Sequence, residues 1–343
     1  MSSRTPAFVA VAAVLAASAT LIGAATLDIY FIDVEGGQST LFVTPAGESL
    51  LVDTGWAGNG ARDAKRIMAA MRDASVKQID YLLITHFHPD HDGGIVELAA
   101  QVPIRTFIDH GGFDPKVTRE TLADAVPAYD AYLRVRAKGA HLEPKPGEHL
   151  PLKGLDLTFV SSARQTIGGA VSGASAPNSS CAAPFPPAAD EPENPRSTGF
   201  HLRFGDFRFI DLGDLSGPPL YSLVCPANKL GSIDAYLLPH HGGNDVIHPS
   251  LLAALRPRVA IINNGETKGG SPETFAVLHD ASGLQDVWQL HRSRNPGARN
   301  FDDERIANLD ESTGYWLKLS ARPDGTFSIT NGRTGASKEY PRR

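Results

Sequence analysis

Cysteine is scarce. The 343-residue chain has two, Cys181 and Cys225, and neither has the clustered partners of a zinc–thiolate site. The same count leaves no cysteine cluster for an iron–sulfur electron carrier, which argues against redox chemistry. Two lone cysteines suit one disulfide in an oxidising compartment, and that bond would pin a Pro/Ser-rich loop to the second half of the chain. Dense Lys/Arg runs are missing as well, and the formal net charge is -6. The sequence therefore offers no broad basic surface for extended nucleic acid. After residue 25 no apolar stretch is long enough to span a bilayer.

The first 25 residues are a separate object. Arg4 precedes Ala7 to Leu21, which is almost wholly apolar, and Gly23-Ala24-Ala25 supplies small residues. This is the pattern of a secretory signal peptide cleaved near Ala25, with Ala17-Ser18-Ala19 as a second candidate site. The expected product is periplasmic or secreted and carries no membrane anchor after cleavage. Hydrophobic content of 42% and charged content of 20% are those of a soluble globular chain able to bury a full core.

What the chain does have is concentrated. Thr85-His86-Phe87-His88-Pro89-Asp90-His91 places three of its 12 histidines beside a carboxylate. The apolar run Asp80 to Ile84 precedes it as a strand, and Gly93-Gly94 follows before a helical stretch from Ile95. Imidazole and carboxylate suit zinc and other borderline or harder divalent ions. A turn at a strand end can aim alternate residues at two nearby points, so His86 and His88 could take one metal while Asp90 and His91 take a second.

The rest of the chain alternates hairpins with strand–helix units, twice. Strands are expected at 26–34, 39–43 and 49–52, a helix at 61–71, strands at 80–84 and 103–108, and a helix over 117–138. In the second half, strands are expected at 199–204, 207–210, 233–238, 257–262 and 286–290, with helices at 250–255 and 271–279 and a closing pair of strands after Tyr315. Residues 161–197, rich in Pro, Gly and Ser, read as an insertion. Polar residues gather just after strand ends: Asp53, His86 to His91, His110, Asp214, His240 and His241, Asn263 and His291. The crevice beyond strand ends is where α/β proteins gather a site. The expected architecture is a single α/β domain over 26–335, a four-layer αββα sandwich of two mixed sheets with helices on both outer faces, followed by a tail at 336–343.

The chain resembles the metallo-β-lactamase fold superfamily. His86-Phe87-His88-Pro89-Asp90-His91 matches its His-x-His-x-Asp-His signature, and Leu51-Val52-Asp53-Thr54-Gly55 its strand-to-Asp-Thr-Gly segment. Leu212-Gly213-Asp214 resembles the pair carrying the bridging aspartate. Pro239-His240-His241-Gly242-Gly243 and Asp33-Val34-Glu35-Gly36-Gly37-Gln38-Ser39 resemble motifs of the branch that includes the hydrolase domain of DNA-uptake competence proteins. The resemblance implies that His86 and His88 hold one metal, Asp90 and His91 a second, and that Asp214 bridges. It implies His240 as the further ligand of the second metal, with His241 as the fallback, because adjacent side chains on a strand or turn diverge. The family's histidine between the first motif and the bridging aspartate is absent, and Asn194 stands in that region. His110 sits at a strand end from which it could reach the site.

The implied cofactors are two divalent ions, zinc first, manganese or iron otherwise. The expected chemistry is hydrolysis by a metal-bound hydroxide, with Asp90 and Asp214 as the catalytic carboxylates. Asp53 is expected to accept a histidine N–H or to cap the Thr54-Gly55 turn. Asn263, Lys268 and His291 are candidates for substrate contact. The branch resemblance favours a phosphodiester, and the acidic charge balance favours a small or short one. A lactonase or β-lactamase-type hydrolase is the enzymatic alternative. A non-catalytic metal- or ligand-binding envelope protein is the alternative of a different class.

Overall fold

Leu27, Ile29 and Phe31 alternate with Tyr30 and Ile32, and both faces of that strand are buried: the first set joins an inner core and the second an outer one. Period-two alternation with both sides apolar is what a strand needs when another sheet covers one face and helices the other. Leu50 and Val52 against Leu51, and Phe209 against Ile210, divide in the same way. The computed structural model describes residues 26–114, 120, 122–171, 176–181, 185 and 192–343. The expected signal segment 1–25, part of the 161–197 insertion and part of the 117–138 helix lie outside the described residues.

Among the described residues there are two nine-stranded mixed sheets. The first runs, in spatial order, Ser337–Tyr340, Phe327–Asn331, Leu317–Ala321, Leu27–Phe31, Thr40–Val43, Ser49–Val52, Ile79–Leu83, Ile104–Ile108 and Ala140–Leu142. Its early strands are antiparallel hairpins, and pairing turns parallel from Ser49–Val52 onward. The second is built the same way. Asp156–Ser162, Gly199–Phe204 and Phe207–Asp211 are antiparallel, and Phe207–Asp211, Ala235–Leu237, Val259–Ile262, Asp286–His291 and Ile306–Asn308 are parallel. Between the sheets Phe42 meets Phe209 and Phe200 edge-on at 5.5 and 5.6 Å. A buried phenylalanine in such packing contributes about 3–5 kcal/mol. Helices Arg62–Asp73 and Val126–Arg136 cover the first sheet, and Pro249–Leu255 and Pro272–His279 the second. The αββα sandwich of two mixed sheets is the observed architecture.

Three segments differ from expectation. The described helix in the 117–138 region begins at Val126, with Pro127 in its first turn, where a missing N–H costs nothing. Residues 336–343 are no tail: Ser337–Tyr340 pairs antiparallel with Phe327–Asn331. Tyr340 accepts a hydrogen bond from Trp288 Nε1 at 2.9 Å and donates one to Asp286 Oδ2 at 2.7 Å, tying the edge of the first sheet to the second. Within the insertion, Ala176–Pro177 pairs with Ala227–Asn228, while the Cys181–Cys225 disulfide is the one expected.

Candidate metal centre

The motif turn is built by close approach. Gly94 lies so near Thr54 that a Cβ there would stand 2.2 Å from the Thr54 carbonyl oxygen. Gly37 comes as close to Asp90, where a Cβ would stand 2.4 Å from the Asp90 carbonyl. Thr54 N–H donates to the His91 carbonyl at 2.7 Å, and Gln38 N–H to the Asp90 carbonyl at 3.1 Å. Backbone contacts thus fix His88 to His91 between two loops at the strand ends.

Asp53, in the left-handed region at φ 61°, orients His91. Its Oδ2 accepts from His91 Nδ1 at 2.7 Å and from Thr85 Oγ1 at 2.7 Å, and its Oδ1 accepts from the Thr85 N–H at 2.8 Å. A proton on Nδ1 meets Asp53, and Nε2 faces the crevice. His91 Nε2 lies 3.3 Å from Asp90 Oδ2 and 3.2 Å from Asp214 Oδ2. His241 Nε2 lies 3.2 and 3.3 Å from the same two oxygens. One ligand atom from each of Asp90, His91, Asp214 and His241 falls within 4.8 Å of every other, and all four residues are buried. Beside them His86 Nε2 is 2.9 Å from His88 Nδ1 and 3.8 Å from Asp214 Oδ2.

The donor set fits divalent ions. His91 Nε2, His241 Nε2 and Asp214 Oδ1 are buried without a hydrogen-bond partner, a costly state for the polypeptide alone. The charges agree. Burial would push both carboxyls up, yet His91 and Lys268 beside Asp90, and His241, His91 and His240 around Asp214, hold both well below the ordinary carboxylate range. Burial would pull His91 down, but Asp214, Asp90 and Asp53 raise it well above its ordinary value. Two ionised carboxylates here demand positive charge. His86 is held well below its ordinary value by burial and by the neighbouring His91 and His88.

Of the two histidines expected as candidates for the second site, His240 first and His241 as the fallback, it is His241 that stands with Asp90, His91 and Asp214. His240 and His241 both occupy the left-handed region, at φ 48° and 53°, so the rule for adjacent strand residues does not apply. His240 Nδ1 donates to Asp245 Oδ1 at 2.8 Å, and its Nε2 lies 3.4 Å from Asn194 Nδ2. Asp245 was invisible in the sequence, where it is one polar residue in a Gly-rich loop.

Three other candidates stand elsewhere. His110 does not reach the cluster. Its Nε2 is 2.7 Å from Glu193 Oε1, which also accepts the Phe87 N–H at 3.2 Å, so the pair braces the backbone between His86 and His88. Asn263 donates to Gln38 Oε1 at 3.3 Å, and Gln38 Nε2 donates to Asp211 at 2.9 Å, which links the two sheets beneath the crevice. His291 is held by Asp33 at 2.7 Å and Glu35 at 3.1 Å. Lys268 does reach the site: its Nζ meets Asp90 Oδ2 and lies 4.9 Å from the Trp56 ring centre. Trp56, in a Gly-rich loop, gave no sequence signal.

Residues 33–167 match the family model described as Metallo-beta-lactamase superfamily. A UPF0173 metal-dependent hydrolase of Staphylococcus saprophyticus is 40% identical over 63 residues, 18% of this chain and 24% of that protein. The chain thus spans about a quarter of the curated relatives it matches. Among solved structures, the metallo-β-lactamase fold protein YhfI from Bacillus subtilis aligns with a TM-score of 0.47 at 11% identity, over 77% of this chain and 95% of that one. CmlA, a diiron β-hydroxylase from Streptomyces venezuelae, aligns with a TM-score of 0.40 at 18% identity, over 69% and 44%. The family-model match over residues 33–167, two mixed sheets back to back and the His-x-His-x-Asp-His turn at their shared crevice make the chain similar to the metallo-β-lactamase superfamily.

Proposed function

We propose that the protein is a metal-dependent hydrolase of small or short phosphodiesters. Asp90, His91, His241 and Asp214 would hold one divalent ion, and His86, His88 and Asp214 the other. Imidazole and carboxylate suit zinc first, with manganese or iron also matched. Such ions, when bound, supply Lewis acidity and a water of lowered pKa.

Lys268 carries the choice of substrate. It is the ammonium at the rim, 37% exposed, between Asp90 and the face of Trp56. The buried groups behind it are carboxylates and imidazoles. A phosphodiester brings a full negative charge to that rim, and a lactone brings none. In this reading Lys268 Nζ binds the anionic ester oxygen, Trp56 shields it from water, and Asp90 orients the attacking water. Water adds to phosphorus, the ester P–O bond breaks, and a phosphomonoester and an alcohol leave.

The test is turnover of bis-(p-nitrophenyl) phosphate, a lactone and a cephalosporin by protein purified without chelators and loaded with zinc or manganese. The phosphodiester is expected to be cleaved. Lys268→Met should lower its kcat/KM by about 10–100-fold, the worth of one charge-assisted contact. Turnover of the lactone or cephalosporin alone would move the substrate class to carbonyl compounds. No turnover of any of the three would favour a binding protein.

We also propose that the protein works in the periplasm or outside the cell. The Cys181–Cys225 disulfide supports this, because such bonds persist in oxidising compartments. Residues 1–25 fused to a reporter active only after export should give activity, and a silent fusion would refute export through this segment.

A further inference from the structure

No histidine between the His86–His91 motif and Asp214 stands at the crevice. All four histidines of that interval are engaged or placed elsewhere. His110 is bonded to Glu193, His141 to Asp109 at 2.9 Å and His149 to Asp156 at 3.0 Å. His201 lies within the strand Gly199–Phe204, paired opposite Ile210 and Thr158. The first site is thus left with His86, His88 and a share of Asp214.

The turn Pro239–Gly242 supplies what is missing. Two successive non-glycine residues in the left-handed region are uncommon and strained, and strain of this kind gathers at functional sites. Its effect here is to fan two adjacent imidazoles, with ring centres 6.0 Å apart and planes at 59°. His241 points at Asp90 and Asp214. His240 Nε2 stands 3.9 Å from the same Asp214 Oδ2, which is itself 3.8 Å from His86 Nε2. Asp214 Oδ2 therefore has His91 and His241 at 3.2 and 3.3 Å, and His86 and His240 farther out at 3.8 and 3.9 Å.

The His240 ring is also set for ligation. The Asp245 carboxylate lies 2.8 and 3.0 Å from Nδ1 and holds the proton there, so the Nε2 lone pair is directed toward Asn194 and Asp214. A carboxylate behind the distal nitrogen is the usual support of a metal-binding histidine.

We propose that His240 is the third nitrogen ligand of the first metal site, oriented by Asp245, so that the consecutive histidines 240 and 241 serve the two sites separately. This rests on the reading that the crevice binds two ions, and the test separates the two claims.

The experiment measures bound metal per chain and the visible spectrum of the cobalt(II)-loaded protein. The proteins compared are wild type, His240→Gly, His241→Gly and Asp245→Asn. Glycine keeps the left-handed backbone open to both histidine variants, and circular dichroism checks the fold. Wild type should bind two ions. His240→Gly and His241→Gly should each keep one, with different cobalt spectra, because different ligand sets survive. Asp245→Asn should weaken one of the two ions about 10–100-fold and leave the other unchanged. Two ions bound with wild-type affinity in His240→Gly would overturn the proposal and leave the two-ion reading intact. Fewer than two ions in the wild type would overturn both.

Discussion

Of the three clusters of histidine and carboxylate among the described residues, the two most buried have opposite characters. One ligand atom from each of Asp90, His91, Asp214 and His241 lies within 4.8 Å of the others, and the same holds for Asp33, Glu35 and His291. Composition is alike, and of the seven residues only Glu35 is less than buried; the cation differs. Arg66 enters the second cluster. Its Nη1 donates to Asp33 Oδ2 at 2.6 Å and Glu35 Oε1 at 2.9 Å, and its Nη2 to the Thr313 carbonyl at 2.8 Å. With His291 protonated, two negative charges meet two positive ones. At the crevice, among the described residues, Lys268 is the one lysine or arginine ion-paired to Asp90, and none is paired to Asp214. A cluster closed by its own guanidinium is a clamp between the two sheets. A cluster whose two carboxylates meet no guanidinium, and on which His91 Nε2 and His241 Nε2 converge, is a candidate site for an ion that the chain does not carry itself.

The sharpest test of that contrast swaps one residue in each cluster. Asp214→Asn should empty the crevice of metal and lower kcat/KM by at least about 1000-fold, roughly 4 kcal/mol. His291→Gln should leave metal content unchanged and activity within about tenfold. Metal analysis and kinetics on the same samples decide it, and a loss of metal in His291→Gln would break the comparison. The next effect is on stability. Arg66→Met strands Asp33 and Glu35 in a buried place with half their counter-charge, and breaking a buried pair from one side costs about 3–5 kcal/mol. Urea unfolding should show it, while metal content stays at the wild-type level. A cost under about 1 kcal/mol would mean that Arg66 merely decorates the clamp.

Legibility in the sequence divided along the same line. The crevice motif was readable because its polar residues are local, three histidines and two aspartates within seven positions after a buried strand. Asp53 and Asp214 were readable because each ends an apolar run. The choice between His240 and His241 was not, since it depends on two positive φ angles that no residue type announces. His291 looked like a site residue because both clusters occupy strand ends. Its partner Asp33 lies 258 positions away and continues the alternation of Leu27, Ile29 and Phe31. Spacing shows which face Asp33 takes but not what waits across the interface. The strand at Ser337–Tyr340 pairs within its own sheet, but Tyr340 is held by Trp288 and Asp286 of the other sheet, which spacing does not show.

The smallest predicted effect concerns pH. Burial would lower His291, but its bonds to Asp33 and Glu35 outweigh burial and push it up to about 9. Arg66 and Arg62, from the helix Arg62–Asp73, face the same two carboxylates. A histidine whose folded pKa lies above its unfolded value of about 6.5 stabilises fully below that value. The stabilisation fades as pH rises through the folded pKa. The stability gap between wild type and His291→Gln should therefore be widest at about pH 6 and shrink, by an amount on the order of 1 kcal/mol, by about pH 9.5. Glutamine can still donate to Asp33, so the comparison isolates the charge. Urea midpoints of both proteins at the two pH values measure the gap. An equal gap at both would mean that His291 is neutral throughout, leaving Arg66 as the clamp's sole cation and the two clusters less different than their geometry makes them.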